Sequence, residues 1–289
     1  MPVMNRFETE PIPIVSYTAF TRWEACPFQE ALLRLGVPRA PKRRRDFLVG
    51  NVVHDTLEYV GKYFELPNNA WMAATFSARA AKVDWNSPTD RQALWEKAYA
   101  IAGSFAEWLL RFLRASRGVL DGVDVEPYYR AQFSINPRKK DLGVFLMEAR
   151  PDVVVRLRDP KRLIVIDYKS GSKADPVQLA WYHEVTRASE QYADYAKVQQ
   201  RYGFVRVRAR GTVFEEVDLG EGSTALIRRT AMMRARALAE ALTARKFEPN
   251  PDPYRCRRCR VHLSCDASAH LPPSRGAGSV LPSRSGGVS

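Results

Sequence analysis

The segment ARPDVVVRLRDPKRLIVIDYKSG, residues 149–171, constrains the fold of this chain more than any other stretch. Its aliphatic runs predict two apolar strands joined by a short polar turn. Asp152 follows Pro151 on the first predicted strand, and Asp167 ends the apolar run LIVID on the second. Lys169 lies two positions beyond Asp167, and residues two apart in a strand point to the same side. We therefore expect Asp167 and Lys169 to face one cavity.

These residue types suit metal-dependent hydrolysis of a phosphodiester. A charge at the end of an aliphatic run is costly unless it binds something. Mg²⁺ takes oxygen ligands and keeps several waters, so one or two carboxylates and a substrate phosphate can hold it. A lysine nearby can orient the attacking water or stabilise the developing negative charge. The alternative is a surface hairpin with scattered charges, because Asp-x-Lys triplets are common by chance.

Two predicted helices carry further polar residues on single faces. A helix over residues 46–65 places Gly50, His54 and Glu58 at positions i, i+4 and i+8. A lone helical histidine is more often a packed core residue than a ligand, and Glu58 fits a solvent-facing position. In QLAWY, residues 178–182, Gln178 and Tyr182 share a helix face.

Four cysteines form a second candidate centre. Cys256, Cys259 and Cys265 have the spacing C-x2-C-x5-C, whereas Cys26 is remote in sequence and precedes Pro27. Four thiolates suit a [4Fe–4S] cluster or a structural zinc ion, and spacing does not separate the two. The alternative is a set of reduced structural cysteines, since a cytosolic chain forms few disulfides.

The order of these motifs resembles the PD-(D/E)XK nuclease superfamily, in its RecB-like, CRISPR-associated iron–sulfur exonuclease branch. Pro151-Asp152, fourteen residues and then Asp167-x-Lys169 match the superfamily's signature. GNVVHDTLEYV (50–60) is similar to the helix of the first motif, and QLAWY to the Gln-x-x-x-Tyr motif. SYTAFTRWEACPFQEALLRL (16–35), with the late cysteines, is similar to the iron–sulfur variety. The resemblance spans roughly residues 14–266.

The resemblance implies an α/β fold with a restriction-endonuclease-like core, in which helices flank a central mixed β-sheet. It also implies a helical insertion at about residues 66–122 and an iron–sulfur staple that joins the N- and C-terminal segments. The implied site residues fall into three groups: catalytic Asp152, Asp167, Lys169, His54, Gln178 and Tyr182; Mg²⁺ or Mn²⁺ ligands His54, Asp152, Asp167 and the Tyr168 carbonyl; and cluster ligands Cys26, Cys256, Cys259 and Cys265. Glu126 matches an acidic residue that often precedes the catalytic hairpin. Arg260 departs from the pattern, because the family often has proline there.

Charge and organisation agree with a nucleic-acid partner. The net charge is +13, and Lys and Arg that neutralise phosphates dominate nucleic-acid affinity. A generally basic surface is the alternative, and charge does not separate DNA from RNA. No apolar run approaches the ~20 residues that cross a bilayer, and the N-terminus lacks a signal-peptide core, which predicts a cytoplasmic protein without membrane contact.

The remaining pattern predicts one nuclease domain over residues 1–267, including the cysteine region at 254–266, and a disordered tail over 268–289. A basic loop is predicted at 38–46, and the sheet is predicted to begin within 123–135. A strand hairpin is predicted over 201–219, turning near Gly211. Further helices are predicted at residues 70–83, 88–117, 175–200 and 223–246. Trp95, Phe105, Trp108 and Phe112 are predicted to form the core of the insertion rather than a base-stacking platform.

The resemblance implies that the protein is a metal-dependent deoxyribonuclease, and it implies exonuclease action on single-stranded ends in DNA repair, recombination or CRISPR adaptation. A helicase or a CRISPR integrase is the expected partner. One alternative is a non-catalytic DNA-binding subunit of the same fold, and another is a zinc-stapled nuclease without iron. A small-molecule metallohydrolase is disfavoured by the +13 charge and the absence of further His or Asp metal motifs.

Overall fold

The computed structural model describes residues 12–38, 45–81, 83, 85, 87–138, 143–169, 174–208, 211–219, 225–259, 261 and 265. The helices are α1 (Tyr17–Ala25), α2 (Pro27–Arg34), α3 (Arg45–Tyr63), α4 (Asn69–Ala80), α5 (Pro88–Ala115), α6 (Pro176–Ala188), α7 (Ala225–Ala244) and α8 (Pro253–Arg258). The strands are β1 (Ile14–Ser16), β2 (Leu120–Val125), β3 (Tyr129–Ser134), β4 (Val144–Ala149), β5 (Val153–Arg158), β6 (Lys161–Lys169), β7 (Gln199–Arg208) and β8 (Gly211–Val217). A 3-10 helix covers Glu190–Tyr195.

Short polar side chains start the helices that frame the site. Ser16 caps α1, because its hydroxyl accepts a hydrogen bond from the Ala19 N–H at 3.1 Å. Asp175 caps α6 in the same way through the Val177 N–H at 2.9 Å, and Pro176 occupies the first turn. These caps fix where each helix begins, and α6 therefore starts close to the end of β6.

The strands form two mixed sheets rather than the single central sheet that was predicted. One sheet has five strands in the order β2-β5-β6-β7-β8, and the other has three in the order β1-β4-β3. The predicted catalytic hairpin is β5 and β6, with Val153 opposite Ile166 in antiparallel register. Strand β7 pairs parallel to β6, with Phe204 opposite Asp167. A parallel pair needs a crossover connection, which α6 and the 3-10 helix supply here.

Helices cover both faces of the five-stranded sheet. Strand side chains alternate between faces, so Val154 and Val165 join one core with α1, α6 and α7. Val155 and Ile164 join the other core, which is built from α3, α4 and α5. Phe105 is fully buried there, and Trp95, Trp108 and Phe112 pack against the same core. The prediction that these aromatic residues are core residues is confirmed.

Two predicted boundaries are wrong. The helix predicted over 175–200 ends at Ala188, and a 3-10 helix over Glu190–Tyr195 and strand β7 from Gln199 follow it. The five-stranded sheet begins at Leu120, shortly before the predicted start within 123–135, because β2 pairs with β5. Pairing with a neighbouring strand decides where β2 and β7 begin. The predicted hairpin at 201–219 is confirmed, with Gly211 at φ 114° beginning β8.

Some predictions lie outside the described residues. They are residues 39–44 of the basic loop, the disordered tail at 268–289, and the residue Arg260. The end of the predicted loop is wrong, because residues 45 and 46 begin helix α3. None of the helices in the described ranges is long and apolar enough to span a bilayer.

Candidate active site

Asp152 and Asp167 lie side by side where β5 begins and β6 ends. Asp152 was predicted on the strand, but it lies one residue before it, in the bend after Pro151. Its Oδ2 accepts a hydrogen bond from the Tyr168 N–H at 2.6 Å, which joins the two strand ends. The Tyr168 ring lies in the core of α3, α4 and α5, where it packs against Phe105 at a centroid distance of 4.9 Å. The role of its carbonyl as a metal ligand stays a prediction.

Lys169, Gln178 and Tyr182 surround the Asp167 carboxylate. The Lys169 ammonium contacts Asp167 Oδ2 and donates to Gln178 Oε1 at 2.9 Å. Gln178 Nε2 donates to Asp167 Oδ1 at 2.9 Å and to the Tyr182 hydroxyl at 2.7 Å. The Tyr182 hydroxyl lies 3.2 Å from Asp167 Oδ1. The predicted helix face of Gln178 and Tyr182 therefore meets the predicted strand face of Asp167 and Lys169.

His54 completes the cluster from α3. Its Nδ1 lies 2.7 Å from Glu126 Oε1 and 3.4 Å from Asp152 Oδ1. Glu126 in turn forms an ion pair with Arg150, and its N–H donates to the Asp152 carbonyl at 2.8 Å. Glu126 has φ 46°, a left-handed conformation that non-glycine residues seldom adopt and that often accompanies functional positions.

A polar cleft of about 440 Å³, the catalytic cleft, opens over His54, Glu126, Arg150 and Asp152. Its lining residues come from α3, α4, the β2–β3 loop and the approach to β5: Asn51, His54, Asp55, Glu58, Arg79, Glu126, Arg150 and Asp152. Arg79 from α4 forms an ion pair with Asp55, so the helical insertion contributes directly to the cleft. The cleft therefore offers both carboxylates and guanidinium groups to a ligand.

Burial sets the electrostatics of the two aspartates. Burial, followed by the nearby Asp167 charge, raises the pKa of Asp152 well above its usual range. Burial also raises the pKa of Asp167, and Lys169 opposes this rise. Two buried carboxylates this close repel each other when both are ionised, so the pair favours a cation between them.

Two buried polar atoms, Asp167 Oδ2 and His54 Nδ1, support a cation site. Asp167 Oδ2 contacts Lys169 only as an ion pair, and both this oxygen and His54 Nδ1 are buried without an aligned hydrogen bond. Within the described ranges, no three acidic, histidine or cysteine side chains are already gathered around one metal position. A hard divalent ion needs only one or two protein carboxylates, with water and phosphate as further ligands. The residues Asp152, Asp167 and His54 therefore fit such an ion.

Comparison with known proteins decides the family. The family model described as the PD-(D/E)XK nuclease superfamily matches residues 14–266, which is most of the chain. The chain belongs to the PD-(D/E)XK nuclease superfamily. This membership supports a nuclease that acts on DNA. No curated protein matches the sequence.

Two solved structures resemble this superfamily member loosely. A protein from Eubacterium rectale, provisionally named an exonuclease, shares 13% identity, with coverage of 92% of this chain and 90% of that chain and a TM-score of 0.47. The protein SSO0001 shares 14% identity, with coverage of 76% of this chain and 85% of that chain and a TM-score of 0.31. The family assignment rests on the sequence match over residues 14–266.

The four cysteines of this nuclease-family chain line one cavity of about 230 Å³. Cys26 lies between α1 and α2, and the other three lie in and after α8. Burial raises the pKa of the Cys259 thiol, and the three other cysteines are close enough to add to the rise. Arg255 donates to the Ala25 carbonyl at 3.3 Å, which ties α8 to the end of α1. The predicted contact between the N- and C-terminal segments is therefore present. Among the described residues, no three or more possible ligand side chains are already arranged around one metal position.

Sequence reasoning missed several residues of the cleft. Arg150 directly precedes the Pro-Asp pair, so its place beside the site was readable from the hairpin. Arg79 and Asp55 had no such signal, because their pairing depends on how α4 packs on α3. Glu126 was noted only by resemblance, and its contact with His54 gives it a definite place.

Proposed function

We propose that this protein is a Mg²⁺- or Mn²⁺-dependent deoxyribonuclease that acts as an exonuclease on single-stranded ends. The observation that carries the proposal is the cluster of Asp152, Asp167, Lys169 and His54 at the edge of the cleft, which His54 and Asp152 line, with both carboxylates destabilised in their charged form. A divalent ion held there supplies Lewis acidity and lowers the pKa of a bound water. Asp152 and Asp167 hold this ion, and His54 adds a ligand or shapes its surroundings.

The remaining residues position the attacking water and the scissile phosphate. Lys169 is held between Asp167 and Gln178, so its ammonium group has a fixed place beside the carboxylate. From there it orients water or stabilises the negative charge that develops on the phosphate. Tyr182 and Gln178 keep Asp167 Oδ1 hydrogen-bonded, whereas Oδ2 carries the Lys169 contact and is the oxygen that Lys169 and the divalent ion would share. Proteins of DNA repair, recombination or CRISPR adaptation, such as a helicase or an integrase, are the partners we propose.

The test is a cleavage assay on end-labelled and circular DNA, single- and double-stranded, with and without Mn²⁺. We expect metal-dependent loss of single-stranded ends, with circular single strands spared. Lys169→Ala should abolish cleavage and keep the fold. Lys161 is an exposed lysine at the start of the same strand, and the Lys161→Ala protein should cleave DNA normally. Cleavage by Lys169→Ala at the parent rate would show the assignment to be wrong. DNA binding without any cleavage would leave the non-catalytic subunit instead.

We further propose that the four cysteines hold a [4Fe–4S] cluster and that residues 1–267 form a single nuclease domain. The shared cavity and the apolar contacts of Leu32, Leu33 and Val261 with Cys259 and Cys265 support this. Metal binding at such a site contributes to folding. Cys259→Ser should therefore lower the melting temperature, although every catalytic residue is still present. Iron and zinc analysis of anaerobically purified protein separates the cluster from a zinc ion. An unchanged melting temperature in soluble Cys259→Ser protein would contradict the structural role.

A further inference from the structure

An aromatic groove continues the catalytic cleft along the helical insertion. It has a volume of about 340 Å³ and lies between α3 and α4. We define the aromatic groove by the residues that line it: Asp55, Glu58, Tyr59, Lys62, Tyr63, Trp71, Thr75, Ala78 and Arg79. Asp55, Glu58 and Arg79 also line the catalytic cleft, so the two spaces are continuous. A chain that leaves the cleft on this side enters the aromatic groove.

The aromatic groove combines the open ring of Tyr63 with Trp71, which is partly buried against the core of α3, α4 and α5. Tyr59 lies between Tyr63 and Trp71, with centroid distances of 4.7 Å and 4.8 Å. Tyr63 is 53% exposed, whereas Phe105 on the neighbouring helix is fully buried. The next residue, Phe64, is also exposed and has φ 57°, a left-handed conformation that usually belongs to glycine at a helix end. Helix α3 therefore ends on two open aromatic side chains, at a conformational cost that core packing does not explain.

We propose that the aromatic groove binds unpaired bases of the DNA strand whose phosphate lies in the catalytic cleft. The proposal rests on the proposed nuclease function and adds the site that selects single strands. Bases stack on exposed aromatic side chains without sequence preference, because each base has a π-face. Bases in a duplex already stack on one another, so they gain little free energy from stacking on Tyr63 and Trp71. The aromatic groove thus favours single-stranded over double-stranded DNA.

The charges of the aromatic groove suit a base better than a phosphate. Arg79 neutralises Asp55, but Glu58 is exposed and repels phosphate. Glu58 can instead accept hydrogen bonds from the exocyclic amino groups of a base. Lys62, whose ammonium lies 5.2 Å from the centroid of the Tyr63 ring, supplies a positive charge at the rim for the sugar–phosphate backbone. This arrangement favours a nucleic-acid strand over an apolar protein segment.

Binding in EDTA tests the proposal without cleavage. Fluorescence anisotropy with a labelled 15-nucleotide single strand should show at least about fivefold weaker binding for Tyr63→Ala, the loss expected for one base stack. Duplex affinity should stay unchanged, and so should the salt dependence, because the tyrosine ring is neutral. Lys62→Gln should instead reduce the slope of log affinity against log salt by about 0.7. The matched control is Tyr99→Ala, because Tyr99 is an exposed tyrosine of α5 that does not line the aromatic groove.

A fluorescence measurement covers the case in which a variant is destabilised. Base stacking should quench the Trp71 emission, so single-stranded DNA should quench the conservative variant Trp71→Phe less than the parent. Equal quenching in both proteins would overturn the proposal. So would Tyr63→Ala protein that binds single strands as tightly as the parent, or that loses duplex affinity to the same extent.

The outcomes separate this proposal from the proposed function. If the parent protein never cleaves DNA in Mn²⁺, the nuclease function falls, and binding in EDTA still decides whether the aromatic groove takes unpaired bases. If the parent cleaves DNA and Tyr63→Ala binds single strands normally, the aromatic groove alone is refuted.

Discussion

Gln178 offers the most direct test of how the cluster works, because its side chain contacts three other members of the cluster. Its amide donates to Asp167 Oδ1 at 2.9 Å and to Tyr182 at 2.7 Å, and its Oε1 accepts from Lys169 at 2.9 Å. Replacement by leucine keeps a similar volume and removes all three contacts. Lys169 then keeps its ion pair with Asp167 but loses the acceptor that fixes its direction.

The expected loss follows from the two contacts with charged groups. A hydrogen bond to a charged group is worth about 1.5–3 kcal/mol, and Gln178 is only half-buried, so the lower end applies to each. If one such contact is used only in the transition state, kcat should fall by roughly 10-fold, and if both are, by roughly 100-fold. The KM for DNA should change by less than about threefold, since Gln178 acts through Lys169 and Asp167 rather than on the substrate.

The assay is steady-state cleavage of an end-labelled single strand at saturating Mn²⁺, together with a melting curve of each protein. Gln178→Glu should lose more activity than Gln178→Leu, because a carboxylate cannot donate to Asp167 and repels it. Gln132→Leu, at an exposed glutamine of β3, is the matched control and should retain the parent rate. A Gln178→Leu protein with an unchanged kcat, or with a loss confined to KM, would refute this role.

Three further changes test the site, the core and the pH response. Glu126→Gln weakens the support of His54, so activity should fall about 10- to 100-fold and recover partly at higher Mn²⁺, whereas Glu148→Gln should not respond to metal in this way. Phe105→Ala should lower the free energy of unfolding by about 3–5 kcal/mol in denaturant titrations, because the ring is fully buried. A decrease of less than about 1 kcal/mol would show that the core is packed more loosely than the structure indicates. Burial, and then Arg228 and Arg187, lower the pKa of His183 to about 3 from 6.5. Between these pH values the unfolded chain binds a proton that the folded protein excludes, so stability is lost as pH falls below 6.5, by at most about 1.4 kcal/mol per pH unit. His183→Phe should lack this loss, and an equal acid response in both proteins would refute the argument.

The aliphatic runs around Asp152 and Asp167 made the catalytic hairpin predictable. Strand pairing of β5 with β6 follows from two adjacent apolar segments and a short turn, and this pairing brings Asp152 to the Tyr168 N–H. The helix predicted over 175–200 shows the limit of the same reasoning. Its second half is a 3-10 helix over Glu190–Tyr195 followed by the start of strand β7, which pairs with β6 because a parallel neighbour was available that local pattern does not reveal.

Strand and helix periodicity by themselves determined which side chains share a face: Asp167 with Lys169, and Gln178 with Tyr182. The tertiary structure decided which faces meet. His54 reaches Glu126 and Asp152 only because α3 packs beside β2, and Cys26 meets the late cysteines only because α8 folds back to α1. The aromatic groove likewise exists only where α4 packs on α3. The physical reason is that periodicity follows from local backbone geometry, whereas the packing of distant elements depends on the burial of whole surfaces.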